Sequence, residues 1–240
     1  MQELLAPLQS PSLKDVFIER FEELILSGQL KIGEKLPPER ELALRLGVSR
    51  PVVHKGLVDL EAKGLVTLMP RVGAVVNDYR REGSLALLTS LVTYQKGRLE
   101  PDLQTSLLDV RRLFEVETAR LAALNREDAH VSVLQQIVEK EMRARSQDVA
   151  RIAAFDFRFH HLLSIASGNR IYPLLINSFK QVYLNLAMQF FEDPAVVQTV
   201  HAFHRKMLQA IENRDDAAAV SVMQRLLTHG ADHLQAMSQA

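Results

Sequence analysis

The 240-residue chain has no cysteine, which excludes disulfides and thiolate metal sites. No apolar run approaches the ~20 residues needed to span a bilayer. The start, Met1-Gln2-Glu3-Leu4-Leu5-Ala6, lacks the basic n-region and long apolar core of a signal peptide. A soluble, cytoplasmic protein with no membrane partner is expected. Net charge is also missing, because 29 Lys and Arg balance 29 Asp and Glu. That argues against indiscriminate coating of nucleic acid but leaves room for a localised basic face. There is no internal repeat, low-complexity tract, nucleophile elbow, phosphate loop or paired carboxylate dyad, so no catalytic residue is expected.

What is present is a local pattern near the N-terminus. Residues 36–48 (Leu-Pro-Pro-Glu-Arg-Glu-Leu-Ala-Leu-Arg-Leu-Gly-Val) give a short helix and a tight turn through Gly47-Val48. A second helix follows over Ser49 to Lys63, and Gly64 stops it. This is the layout of a helix-turn-helix. Ser49 is a good N-cap residue, its hydroxyl suited to accept from the open first-turn amides. Pro51 is tolerated there because those amides lack intrahelical partners. Val53, Leu57 and Leu60 fall at i, i+4 and i+7 and form one apolar stripe. Pro51, His54, Lys55 and Val58 project from the other side, and Arg50 stands at the N-terminal end. A helix end carrying donors suits a major groove, where base edges specify and cations meet phosphates. Between Lys31 and Arg71 the cations outnumber the acids, although an ordinary solvated surface would look much the same.

Around this pattern, residues 1–11 read as a loose arm and 12–27 as a helix ended by Gly28. Residues 30–36 are a connector. Leu65 to Met69 and Ala74 to Val76 are two strands joined by the turn Pro70-Arg71-Val72-Gly73, a wing whose tip carries Arg71. Residues 77–84 are taken as a linker, separating a DNA-binding domain (1–76) from a second domain (85–240). That second domain reads as helix throughout, over 85–96, 101–124, 127–145, 148–167, 170–191, 194–213 and 215–237. Val and Ile show no period-2 alternation there. The short connections imply an antiparallel all-α bundle of six to seven helices. The fold class is therefore mainly α, a winged helix-turn-helix followed by a helical bundle.

In the order and spacing of Leu36-Pro37-Pro38-Glu39-Arg40-Glu41-Leu42-Ala43, Leu46-Gly47-Val48-Ser49-Arg50 and Lys63-Gly64-Leu65-Val66, the chain resembles the GntR family of bacterial transcription regulators. The remainder resembles its FadR branch. The matching features are Val110-Arg111-Arg112 with Glu115, Asp156-Phe157-Arg158-Phe159-His160, Ala166-Ser167-Gly168-Asn169 and His204. The resemblance implies that Arg40, Arg45, Ser49, Arg50, His54 and Arg71 to Gly73 face DNA. One departure is His54, where the family usually carries arginine; a neutral imidazole makes no bidentate charged contact. The resemblance also implies a homodimer on a near-palindromic double-stranded operator and a helical domain that binds a small-molecule effector. Whether the chain represses or activates transcription does not follow.

Asp156 and His160, at i and i+4, share one helix face, and a carboxylate and an imidazole so placed suit a divalent metal. The resemblance adds His204 as a third ligand and implies one zinc, nickel or manganese ion per subunit. At the fourth position stands Leu226, with His229 nearby as a substitute. The alternative is a hydrogen-bonded core pair of Asp156 and His160 without metal. Arg111, Asn169 and Tyr172 are the effector-contacting candidates. A guanidinium at Arg111 suits a carboxylate or phosphate, whereas Glu115 at i+4 offers an ordinary salt bridge. A second resemblance competes. Residues 166–172, with Leu175-Ile176-Asn177, Lys180, Tyr183, Phe190-Phe191 and Asp193-Pro194, are similar to acyl-CoA-responsive fatty-acid regulators, which use no metal. Other classes are more remote: a metalloenzyme built on Asp156, His160 and His204, or an architectural DNA-binding protein with an inert helical domain.

Overall fold

The computed structural model describes residues 11–94 and 100–239. The chain divides into two compact units between residues 98 and 99. The first unit holds α1 (Leu13–Leu26), α2 (Glu39–Leu46), α3 (Arg50–Ala62), β1 (Val66–Met69), β2 (Gly73–Val76), α4 (Tyr79–Glu82) and α5 (Leu87–Tyr94). The arm expected at 1–11 lies, but for Pro11, outside the described residues, as do 95 and 96 of the helix expected over 85–96.

Helices α1 and α3 pack face to face because α3 carries Gly56 at the crossing. A Cβ there would lie 2.3 Å from Phe17 Cδ1. The expected stripe is the buried face of α3, with Val53, Leu57 and Leu60 no more than 2% exposed. Gly47 ends α2 with φ 66°, a left-handed conformation that costs glycine little and lets the chain turn sharply into α3. β1 and β2 form an antiparallel hairpin pairing Val66 with Val76 and Met69 with Gly73. The connector before α2 is not loose. Leu36 N–H donates to Ala74 (2.8 Å) and Val76 N–H to Glu34 (2.9 Å), which seats this segment beside β2.

Residues 77–84, expected to be a linker, carry α4, capped by Asp78, which accepts from Arg80 N–H at 3.1 Å. Beyond it α5 packs on α1, and buried Leu87 joins the first core. Ser90 of α5 donates to buried Glu22 of α1 (2.8 Å), which also pairs with Lys63 at the end of α3. The first unit therefore continues through α5.

The second unit is all helix: α6 (Pro101–Asn125), α7 (Asp128–Met142), α8 (Val149–Ala166), α9 (Tyr172–Ser178), α10 (Lys180–Phe190), α11 (Pro194–Glu212) and α12 (Asp216–Gln239). Of the seven helices expected over 85–240, the first is α5 of the first unit, and the other six correspond to these seven. The helix expected over 170–191 is two, broken at Phe179, which caps α9 and precedes α10. Phe179 N–H donates to Ile176 (3.2 Å), a tightened turn that separates α9 from α10. Helix α8 runs through the core, with Ile152, Ala153, Phe159 and Leu163 fully buried, and packs against α6, α7, α9 and α10. Ala119, Ala122 and Ala123 keep α6 thin where it meets its neighbours.

Candidate functional site

In the first unit the residues expected at DNA all lie on the surface: Arg40, Arg45, Ser49, Arg50, Pro51, His54, Lys55, Arg71 and Gly73 are exposed. Ser49 differs from expectation. It has N-cap backbone geometry, φ −74° and ψ 149°, but its side chain makes no capping bond. Its carbonyl instead accepts from Val52 (3.0 Å) and Val53 (3.3 Å), as an N-cap carbonyl should, and the hydroxyl is left to solvent. Arg45 pairs with Glu41 one turn earlier. Glu39 is the residue the sequence did not single out. One of its oxygens accepts from Arg50 Nε (3.1 Å), and the other meets His54 Nδ1 (2.8 Å). The bond from His54 is the main cause that holds the Glu39 carboxyl below its ordinary value, helped by Arg50 and opposed by burial. At the wing tip Arg71 adopts φ 64° and Gly73 φ 104°, conformations that fold the turn back on itself.

In the second unit, α8 and α11 bring Asp156, His160 and His204 together in the core, at 5%, 1% and 0% exposure. Their ligand atoms lie within 4.8 Å of one another. His204 Nε2 is 3.5 Å and His160 Nε2 3.8 Å from Asp156 Oδ1, and neither nitrogen has a hydrogen-bond partner. The core hydrogen-bonded pair considered above is therefore absent. Each imidazole is fixed from behind. His160 Nδ1 meets Glu115 of α6, and His204 Nδ1 meets Glu141 Oε2 of α7 at 2.8 Å. An ionised carboxylate only accepts, so an imidazole in the neutral form that binds a metal keeps its proton on Nδ1 and turns its Nε2 lone pair toward Asp156. Three electron-rich atoms facing one another in a dry site suit a cation, and the carboxylates behind the imidazoles are the outer partners that metal-bound histidines ordinarily have. The residues present thus fit a divalent metal.

Electrostatics set the remaining partners. Burial opposes the charge of Arg111, but Glu115, Tyr183 and Asp156 outweigh it and hold the guanidinium protonated. Burial likewise raises Glu115, yet Arg111 and His160 bring it down to about 2. Burial lowers His204 less than Glu141 and Asp156 raise it. The Tyr183 hydroxyl, pushed well above its usual value mainly by burial, stays a donor. It donates to Asp156 Oδ2 at 2.5 Å and accepts from Arg111 Nη2 at 2.9 Å. Arg111 also donates from Nε to Glu115 at 2.6 Å, so the anticipated salt bridge forms. Its Nη1 has no partner among the described residues.

Arg111 lines two cavities. One of about 30 Å³ also touches Asp156, Leu226 and Gly230. The other, about 70 Å³, is a mainly apolar cleft walled by Leu107, Phe114, Phe179, Val182 and Leu186 beside Tyr183. The other expected residues fall outside this centre. His229 is not in the cation group, and its ring packs near Phe190 and Phe203. Asn169 turns the chain into α9, its Oδ1 accepting from Ile171 N–H at 2.8 Å. Tyr172 meets the cleft only through Phe114, ring centroids 5.9 Å apart. Glu141 carried no signal in the sequence, whereas the spacing of Glu115 from Arg111 did.

Residues 14–76 match the family described as bacterial regulatory proteins, gntR family, and residues 77–240 match the FadR C-terminal domain. The chain belongs to the GntR family. It is a transcription regulator with a DNA-binding helix-turn-helix and an effector-binding FadR-type domain, as the sequence patterns indicated. The two family matches meet at residues 76 and 77, whereas the compact first unit extends through α5. The HTH-type transcriptional regulator Mce2R of Mycobacterium tuberculosis is 30% identical over 223 residues, spanning 93% of this chain and 92% of that protein. The Glc operon transcriptional activator of Escherichia coli is 29% identical over 209 residues (83% and 80%). The fatty acid metabolism regulator protein of a Shewanella species is 30% identical over 175 residues (73% and 70%). Listeria monocytogenes Lar shares the fold, with a TM-score of 0.66 at 18% identity over 95% of this chain and 99% of that one. Among the described residues no helix is long and apolar enough to cross a membrane.

Proposed function

We propose that this regulator is a cytoplasmic homodimer that presents one recognition helix to each half of a near-palindromic operator. Its operator affinity is set by a small carboxylate effector bound beside a divalent cation. Asp156, His160 and His204 would hold the cation, which is zinc, nickel or manganese; His229 takes no part. When bound, the ion supplies positive charge and free coordination positions for an oxyanion, which is what a carboxylate requires. Arg111 supplies a fixed positive charge next to the same cavity, Tyr183 keeps Asp156 oriented, and Glu115 and Glu141 keep both imidazoles in the ligating tautomer. At the operator, Arg40, Arg45, Ser49, Arg50, Pro51, His54 and Lys55 serve with the wing residues Arg71 and Gly73. Coupling of about 1–3 kcal/mol between the two sites would change operator affinity about 5- to 150-fold.

The observation that carries the effector reading is the pair of buried Nε2 atoms facing Asp156 Oδ1 without hydrogen bonds. Protein purified without chelator or metal-affinity resin should contain about one divalent ion per chain by elemental analysis, and small carboxylates should then shift its operator titration. Less than a tenth of an equivalent, with no uptake of added zinc, nickel or manganese, would reject the metal. The apolar lining of the larger cleft favours one second reading, a metal-independent response to long-chain acyl-CoA. That reading expects an acyl-CoA shift in the operator titration that survives Asp156→Ala.

A further inference from the structure

Glu39, Arg50 and His54 form an arrangement at the operator-facing end of α3 that bears on which bases are read. Glu39 is half-buried, its side chain 25% exposed, while Arg50 and His54 are 72% and 57% exposed. The carboxylate takes Arg50 through Nε alone, at 3.1 Å. The two terminal amino groups of Arg50 have no partner among the described residues. They remain the edge that meets guanine O6 and N7.

His54 is held differently. Its Nδ1 lies 2.8 Å from the other Glu39 oxygen. Glu39 is kept ionised, its carboxyl lowered chiefly by this bond, so it accepts and Nδ1 donates. A ring whose single proton sits on Nδ1 carries a bare lone pair on Nε2 at the exposed end. In the major groove the partners of an acceptor are the exocyclic amino groups of cytosine and adenine, whereas guanine and thymine offer acceptors at that edge. We propose that His54 is a specificity-determining residue that selects an amino-bearing base, cytosine or adenine, in the same half-site in which Arg50 selects guanine. Glu39 is the positioning residue that fixes both. The inference rests on the recognition-helix reading above.

The test is enrichment of operators by the full-length protein from a randomised double-stranded DNA pool at neutral pH, followed by titration of synthetic duplexes. The wild-type protein should enrich cytosine or adenine at one half-site position, and His54→Ala should make that position indifferent. A duplex with purine in place of adenine, or 2-pyrimidinone in place of cytosine, lacks the amino group. It should bind the wild-type protein about tenfold more weakly and the His54→Ala protein unchanged, and the analogue that acts tells which base is read. Glu39→Gln should blunt the preference at that position while the melting profile is retained, because an amide no longer fixes the tautomer. Identical base preferences in wild type and His54→Ala would overturn the proposal, as would guanine or thymine at the affected position. Arg50→Ala separates the two readings: if it leaves enrichment untouched, the recognition-helix assignment itself fails.

Discussion

Stripping or loading the cation site should move the stability of the second unit. Without a cation, His160 Nε2 and His204 Nε2 are buried and unpaired, facing Asp156 Oδ1 at 3.8 and 3.5 Å. An unsatisfied buried polar group costs about 1–3 kcal/mol, so the empty site is a liability that a bound ion would remove. An ion that binds only the folded state, at 100 times its dissociation constant, stabilises by about 2.7 kcal/mol. For a unit of this size 1 kcal/mol moves the melting temperature by about 3 °C, so a rise of about 8 °C is expected. The assay is thermal unfolding of chelator-treated protein with and without added zinc, nickel or manganese, beside Asp156→Ala. The variant should melt at one temperature under all conditions. Glu141→Gln, which leaves all three ligands in place, should weaken metal binding about 10- to 100-fold, because Glu141 orients His204 from behind. Wild-type protein whose melting responds to none of the three ions would show that the lone pairs are satisfied in some other way, and the metal argument would fail.

Other expectations concern the first unit. Gly56→Ala would place a methyl 2.3 Å from Phe17 Cδ1 and should cost about 1–3 kcal/mol through overpacking; denaturant unfolding would test it, and an unchanged midpoint would mean that α1 gives way easily. Lys63→Met leaves Glu22, 5% exposed, with Ser90 as its remaining partner among the described residues. The expected loss is about 2 kcal/mol, below the scale for a fully dry pair because Lys63 is partly solvated, and restoration by Glu22→Gln in the same chain is the check. Glu39 has a depressed carboxyl, so its contribution to stability is present above the ordinary value of 4.5 and fades as pH falls below it. An acid titration of wild type against Glu39→Gln should show the two unfolding curves converging in that window; parallel curves would contradict the assigned contact.

Most of the first unit was legible because its signals are local. The Gly47 turn, the Val53, Leu57 and Leu60 stripe and the two short strands each depend on residues within one or two turns of each other. Ser49 shows the limit of local reasoning. Its backbone takes the cap geometry that its residue type favours, but the hydroxyl was not needed to hold it. The continuation through α5 was less legible. Arg80-Arg81-Glu82-Gly83 is polar, and nothing in it reports that Ser90 and Leu87 further on will meet α1. The break at Phe179 was hidden for a related reason. Residues 170–191 keep a helical apolar rhythm across it, and only packing against α8 decides that Val182 and Tyr183 must turn inward.

The buried Asp156, His160 and His204 cluster was readable to the same degree, and the unread part matters most for its chemistry. Asp156 and His160 were paired by i, i+4 spacing alone, and His204 came from family resemblance. Spacing could not reveal that both imidazoles are held from behind by carboxylates on other helices. Glu115 is four residues from Arg111 and reads as the partner of that arginine; in the fold it is shared, one oxygen for Arg111 and the other for His160. Glu141 lies 63 residues from His204 and had no sequence signal at all. Yet these two acids turn a cluster of buried polar residues into a site with a defined demand. Without them each histidine could give its own proton to Asp156 and close a hydrogen-bonded core. With them the neutral rings keep their protons outward, and the inner face presents Asp156 and two Nε2 atoms as ligands. A carboxylate placed out of sequence range thus decides whether the triad is a packing motif or a cation site, which is why substitution of Glu141, remote from any effector, tests the assignment more sharply than loss of a ligand would.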